Sequence, residues 1–204
     1  RLCSYPRIAN QPLTRCVTCL VHNMKSKSTL LFSTVHGSHL YGTAHADSDN
    51  DRFEVYATKP ERKRARWAKQ RIAGNDDVLR TDLSTFMLYA AQGVPQFLEA
   101  MYSLSADIDS LGLQFRLSFR PNLDEAIHTY QRTITALHAK GREQDSVKFM
   151  SHAWRLRFNL VEVERGRAFN PQLSSSDQYL ISKCYHFNPS AAWQPFDEDT
   201  IYAR

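Results

Sequence analysis

The spacing of apolar residues changes character along the chain. TLLFSTV, residues 29–35, is a short apolar, β-branched run that stops just before Gly37, the pattern of a buried strand delivering a turn. Residues 52–57 read as a second strand, Gly74-Asn75 as a turn, and residues 78–81 as a third strand. A helix is expected from Leu83 to Gly93, and Pro95 opens another that carries Phe97, Leu98 and Met101 inward. Strands alternating with helices make this stretch a small mixed α/β sheet. From Leu123 to Ala139 and from Ser146 to Arg165 the period is helical, with Gly141 and Gly166 where C-caps belong. In the second of these helices Val147, Met150, Trp154, Phe158 and Val161 form a core-facing stripe at three-and-four spacing. Lys148, His152, Arg155 and Asn159 share a face beside it. The tail after Tyr185 reads as irregular.

The expected organisation is an α/β core over residues 24–115 followed by a helical region over residues 116–204. Residues 1–23 show no clear period and hold two prolines, and Met24 stands directly before the first strand. That segment is expected to be an extension outside the core, with Met24 the natural start. Cys3, Cys16, Cys19 and Cys184 make no disulfide framework in a chain of 204 residues. Cys16-x-x-Cys19-x-x-His22 has zinc-like spacing, but it falls in the extension and is left out of the chemistry.

Composition narrows the class. A hydrophobic content of 42% supports a real core and excludes a disordered chain. No apolar run approaches the roughly 20 residues of a membrane span, so a cytoplasmic protein with no membrane partner is expected. The net charge of +5 is unevenly placed: KPERKRARWAKQR, residues 59–71, holds seven Lys or Arg against one Glu, with Trp67 among them. Such a run suits RNA or another nucleic acid, because Lys and Arg displace phosphate counterions and the indole stacks on bases. A solvated helix or loop would carry the same composition.

The densest chemistry lies in GSHLYG, residues 37–42, and DSDND, residues 47–51, directly before the second strand. A Gly-Ser turn presents backbone N–H groups to a phosphate, and carboxylates two apart on an extended segment point to one side, where they share a divalent cation. An EF-hand loop fits only the start: Arg52 stands where that loop needs Gly, and Thr58 where it needs a bidentate Glu. A solvated Asp/Asn/Ser turn between two strands is the other reading of the Asp triplet.

GSHLYGTAHADSDND resembles the signature of nucleotidyltransferases of the DNA polymerase beta superfamily. In that superfamily the Gly-Ser turn holds a nucleotide triphosphate and the Asp-x-Asp pair binds catalytic magnesium. Asp82 to Glu99, DLSTFMLYAAQGVPQFLE, is similar to the helix, turn and Leu-Glu-x-Leu helix of one branch, the stand-alone nucleotidyltransferases of bacteria and their phages. Lys148-Phe-Met-Ser-His152-Ala-Trp-Arg155-Leu resembles that branch's Lys-x-x-x-His-x-x-Arg-Leu helix. The likeness runs from about Ser28 to Lys183.

The resemblance implies a fold and a chemistry: a small mixed-sheet nucleotidyltransferase core with a C-terminal helical region, moving a nucleoside monophosphate from an NTP to an acceptor hydroxyl as pyrophosphate leaves. Gly37 and Ser38 would hold the terminal phosphates, Asp49 and Asp51 would bind Mg²⁺ or Mn²⁺, and Lys148, His152 and Arg155 would lie beside the nucleotide. On spacing alone those three read rather as an ordinary boundary stripe, and only the resemblance reverses that order. If Arg155 binds phosphate from solvent, its removal is expected to change stability little. A third carboxylate completes such a site, and Asp77, opening its strand as Asp49 and Asp51 open theirs, is preferred to Asp82, which stands where a helix N-cap belongs. Glu54, where the family has a small residue, is a further alternative. A regulatory nucleotide- or nucleic-acid-binding module, or a toxin or defence component acting by nucleotidylation, would share these motifs.

Overall fold

Strands β1 (Thr29–Val35), β2 (Arg52–Ala57), β3 (Ala68–Arg71), β4 (Asp77–Asp82) and β5 (Asp107–Ile108) form one sheet in the order β3-β4-β2-β1-β5. The computed structural model describes residues 29–57, 68–71, 77–104, 106–165 and 170–186, with residues 68–71 and 184–186 described by backbone alone. The extension, residues 59–67 of the basic run, the Gly74-Asn75 turn, Gly166 and the tail beyond residue 186 lie outside these, whereas residues 68–71 of the basic run form β3, an edge strand rather than a helix or loop. β1 pairs antiparallel with β2 and β5, β3 antiparallel with β4, and β2 parallel with β4, so the sheet is mixed, as expected.

Among the described residues seven helices accompany it: α1 (Gly37–Tyr41), α2 (Leu83–Ala91), α3 (Pro95–Tyr102), α4 (Ser110–Ser118), α5 (Leu123–Glu143), α6 (Val147–Glu164) and α7 (Ser175–His186). Asp82 caps α2, accepting from the Thr85 N–H at 3.0 Å, and Pro95 opens α3 at a position where a missing N–H costs nothing. Between these helices Gly93 adopts φ +69°, and a Cβ there would run into the Ala126 backbone of α5. Only glycine lets the α2–α3 turn approach α5 so closely. Gly141 is not the cap expected of it: it is buried inside α5, which ends at Gln144, and Asp145 takes the left-handed conformation at φ 46°.

Strand β2 alternates, with Phe53, Val55 and Ala57 buried against helices and Arg52, Glu54 and Tyr56 on the opposite face. Phe53 meets the Phe97 ring at 5.2 Å, and Phe32 meets Phe86 at 5.0 Å. The same apolar cluster continues into Tyr130 and Ile134 of α5 and Leu156 and Leu160 of α6. Sheet and C-terminal helices therefore share one core. Helix α6 is buried on more than the expected stripe: Ala153, Leu156, Leu160 and Val163 enter the main core, while Trp154 joins Leu40, Tyr41, Leu173 and Ile181 in a second cluster under α7. Val147, Phe158 and Val161 are half-buried at its margin. None of the described helices is long and apolar enough to cross a membrane.

Candidate functional site

The end of β1 and the start of β2 are pinned together where the His36 N–H donates to the Asp51 carbonyl at 2.7 Å. Just beyond that tie the chain turns through Gly37 at φ +64°, and a Cβ at position 37 would fall onto Asp51 Oδ2. A glycine is required there twice, for the backbone and for the approach. Because β2 and β4 are parallel with Arg52 beside Val78, Asp51 and Asp77 stand at neighbouring strand starts, at the same end of the sheet.

Both carboxylates open onto a cavity of about 470 Å³. Its sheet end also includes His36, Gly37, Tyr41 and Leu79; Val94, Pro95 and Gln96 close one side at the start of α3; and Thr133, Leu137, His152, Arg155 and Leu156 come from α5 and α6. Gly37, Asp51, Asp77, His152 and Arg155, drawn from separate segments of the sequence, thus line one cavity. Ser38, Asp49 and Lys148 do not line it. The Ser38 carbonyl accepts from the Gly42 and Thr43 N–H groups, Asp49 is exposed on the loop before β2, and Lys148 is exposed in the first turn of α6.

The two other candidate carboxylates have structural employment. Asp82 accepts from Ser84 Oγ, Thr85 Oγ1 and the Thr85 N–H; burial by itself would raise its pKa, and these hydrogen bonds lower it instead. Glu54 lies on the far face of the sheet, where Arg80 Nε and the Tyr56 hydroxyl donate to it at 2.9 and 2.7 Å. Its parity along β2 is opposite to that of Asp51, and unlike Arg52 at the strand's start it does not line the cavity. Burial pushes its pKa up, but the Tyr56 and Arg80 hydrogen bonds prevail and lower it.

The line Lys148, His152, Arg155, Asn159 runs from solvent into the protein: the first is exposed, the second half-buried and the last two buried. His152 is held down to about 4, by burial first and then by the Arg155 and Lys148 charges, so at neutral pH its imidazole is uncharged. Arg155 is not a solvated surface cation. Its guanidinium donates from Nη1 to Glu99 Oε1 and lies 3.7 Å from the centre of the Tyr41 ring. Burial alone would lower its pKa, and the Glu99 carboxylate more than offsets that, so the group stays charged. The expectation that Arg155 matters little to stability is therefore corrected. Its Nε, buried, meets no acceptor among the described residues.

Glu99 is the centre of this network and was given no role on sequence grounds. It is fully buried, and besides Arg155 it accepts from the Tyr41 hydroxyl at 2.7 Å and from Asn159 Nδ2 at 3.2 Å. Burial keeps the Tyr41 pKa well above the ordinary phenol value, so the hydroxyl remains a donor. A signal was present: Glu99 lies between Leu98 and Met101 on a helix otherwise apolar, and a buried Glu requires partners.

Among the described residues no three His, Cys, Asp or Glu side chains gather into a metal-holding group. A magnesium ion needs no such cage, since it is commonly held by one or two carboxylates with water and substrate phosphate completing the octahedron. Asp51 and Asp77, hard oxygen donors at one end of one cavity, suit that mode. No protein-family model matches the chain, and no curated protein matches it.

Proposed function

We propose that the chain is a metal-dependent nucleotidyltransferase that moves a nucleoside monophosphate from an NTP to an acceptor hydroxyl and releases pyrophosphate. The observation that carries this reading is the convergence of Gly37, Asp51, Asp77, His152 and Arg155 on one cavity. Asp51 and Asp77 would hold Mg²⁺ or Mn²⁺, with Asp49 joining from the neighbouring loop. When bound, such an ion neutralises charge on the reacting phosphate and lowers the pKa of an attacking hydroxyl.

The chain's own residues supply the rest. Gly37 brings backbone close to the Asp51 carboxylate, so a phosphate cradled at the start of α1 lies beside the metal donors. Asp77 accepts the acceptor's proton. Arg155 directs N–H groups at phosphate oxygens, and neutral His152 donates one hydrogen bond without adding charge. Val94, Pro95, Leu137 and Leu156 add apolar lining to the same cavity. RNA or another nucleic acid is the acceptor favoured by the basic run at residues 59–71, and a cytoplasmic setting goes with it.

The test is incubation of the protein with each labelled NTP, Mg²⁺ or Mn²⁺, and RNA, DNA or protein acceptors. Label on an acceptor with stoichiometric pyrophosphate is expected, lost in Asp51→Asn and Asp77→Asn. Transfer from no NTP, or full transfer in Asp51→Asn, overturns the reading. The exposure of Asp49 outside the cavity favours one rival, a nucleotide-binding module without catalysis. Nucleotide binding with no pyrophosphate release would identify it.

A further inference from the structure

Arg155 has two described partners, the Glu99 carboxylate and the Tyr41 ring; Glu99 is held in turn by the Tyr41 hydroxyl and Asn159, and it has no exposure to the cavity that Arg155 and Tyr41 line. A guanidinium has a face and a fixed fork of donors. Here the face rests on the Tyr41 ring and Nη1 is held by Glu99, while Nε is buried and meets no acceptor among the described residues, and Arg155 itself lines the cavity. An anionic ligand group in the cavity would give the guanidinium a second charge-assisted partner.

We infer that Glu99 and the Tyr41 hydroxyl are positioning residues, which fix the plane of the Arg155 guanidinium so that it addresses an anionic phosphate group in the cavity. The inference deepens the nucleotidyltransferase reading and rests on it for the identity of the ligand. Glu99 touches no ligand and works through Arg155 alone. The Tyr41 hydroxyl works through Glu99. Because Tyr41 closes the short helix that Gly37 opens, the same hydrogen bond ties the Gly37 turn to α3 and α6. The turn and the guanidinium are thereby set relative to one another.

A double-mutant cycle on the full chain separates this from a merely structural role. Tyr41→Phe keeps the ring under Arg155 and removes the hydroxyl; Arg155→Lys keeps the charge and removes the fork. Affinities for ATP with magnesium and for inorganic triphosphate are measured by calorimetry, below the melting temperature of every variant. Each single change is expected to weaken binding about tenfold or more. The double variant is expected to match Arg155→Lys within about twofold, since Tyr41 has nothing left to position. Losses that multiply, or a Tyr41→Phe that binds like the unaltered chain, overturn the inference. Glu99→Gln replaces Tyr41→Phe in the same cycle if that variant does not fold. Additive losses with ATP bound would sink the positioning role and leave the nucleotide reading standing. A coupled cycle seen with inorganic triphosphate while ATP, GTP, CTP and UTP all fail to bind would do the opposite. Binding of neither ligand by the unaltered chain removes both.

Discussion

Individual side chains in this protein carry charge in places where water cannot help them. Arg155→Ala would leave Glu99, fully buried, without its counter-charge, and the expected loss is about 3–5 kcal/mol. Replacing Arg155 and Glu99 together by Met and Leu is expected to restore much of that stability, because a buried pair costs as much desolvation as it returns. Urea unfolding of the three proteins checks both statements. His152 gives a pH dependence of definite sign. It titrates at about 4 in the folded protein against 6.5 in the unfolded chain, so the unfolded state binds the proton first. The stability associated with the neutral imidazole is whole above about pH 6.5 and declines as pH falls toward 4. His152→Gln should remove up to one proton from that slope, about 1.4 kcal/mol per pH unit at its steepest, in unfolding free energies measured between those limits. Gly37 is hard to replace. Ala there meets both a left-handed backbone and the Asp51 carboxylate, and a loss of about 1–3 kcal/mol is expected together with loss of nucleotide binding, read by melting and calorimetry.

Short elements were harder to read than long ones. The runs at Thr29–Val35 and Arg52–Ala57 have the β-branched or alternating pattern of a strand, and α2, α3, α5 and α6 have caps or helical periods, so all were visible. β5 has two residues and β3 four, too few for a period to register, and α1 is a single turn and a half that reads as a Gly-Ser turn. Helix α5 overran its expected end because Gly141 was taken for a cap, whereas packing buries it and Asp145 makes the turn. Elements also decide between the acidic candidates. Asp82→Ala should shorten the start of α2 and cost about 1 kcal/mol without abolishing metal-dependent nucleotide binding. Asp77→Asn, at the cavity end of β4, should do the reverse, and melts paired with magnesium-dependent calorimetry on both variants tell them apart. Gly37, Asp51 and Asp77 were legible as candidates because a turn glycine and carboxylates fall where strands end and begin, and His152 and Arg155 were legible through the resemblance alone, their spacing reading as a boundary stripe. Glu99 and Tyr41 were not, because their partners are brought together by packing across about sixty residues of sequence.

At the level of the whole molecule, the apolar cluster that begins at Phe32 and ends at Val163 makes the sheet dependent on α5 and α6. A chain ending at Ser118 would expose Phe97, Leu98 and Met101 where Tyr130, Ala153 and Leu156 now cover them. It is expected to remain unfolded, while the full chain should lose helix signal and tryptophan fluorescence in one coincident transition. The fold class was visible at this scale because alternation of period is a property of long stretches, whereas the sharing of one core was not, since the sequence divides at residue 115 and the packing does not. The tie between His36 and Asp51 has a further consequence. It closes the β1–β2 connection at its base, and residues 43–50, with Asp49 among them, arch outward without entering the cavity wall. The entropy of such a closed arch rises only with the logarithm of its length. That makes it an adjustable aperture: its length, and its residues other than Asp49, are free to be exchanged, retuning what passes over the carboxylates, while the masonry beneath stays as it is.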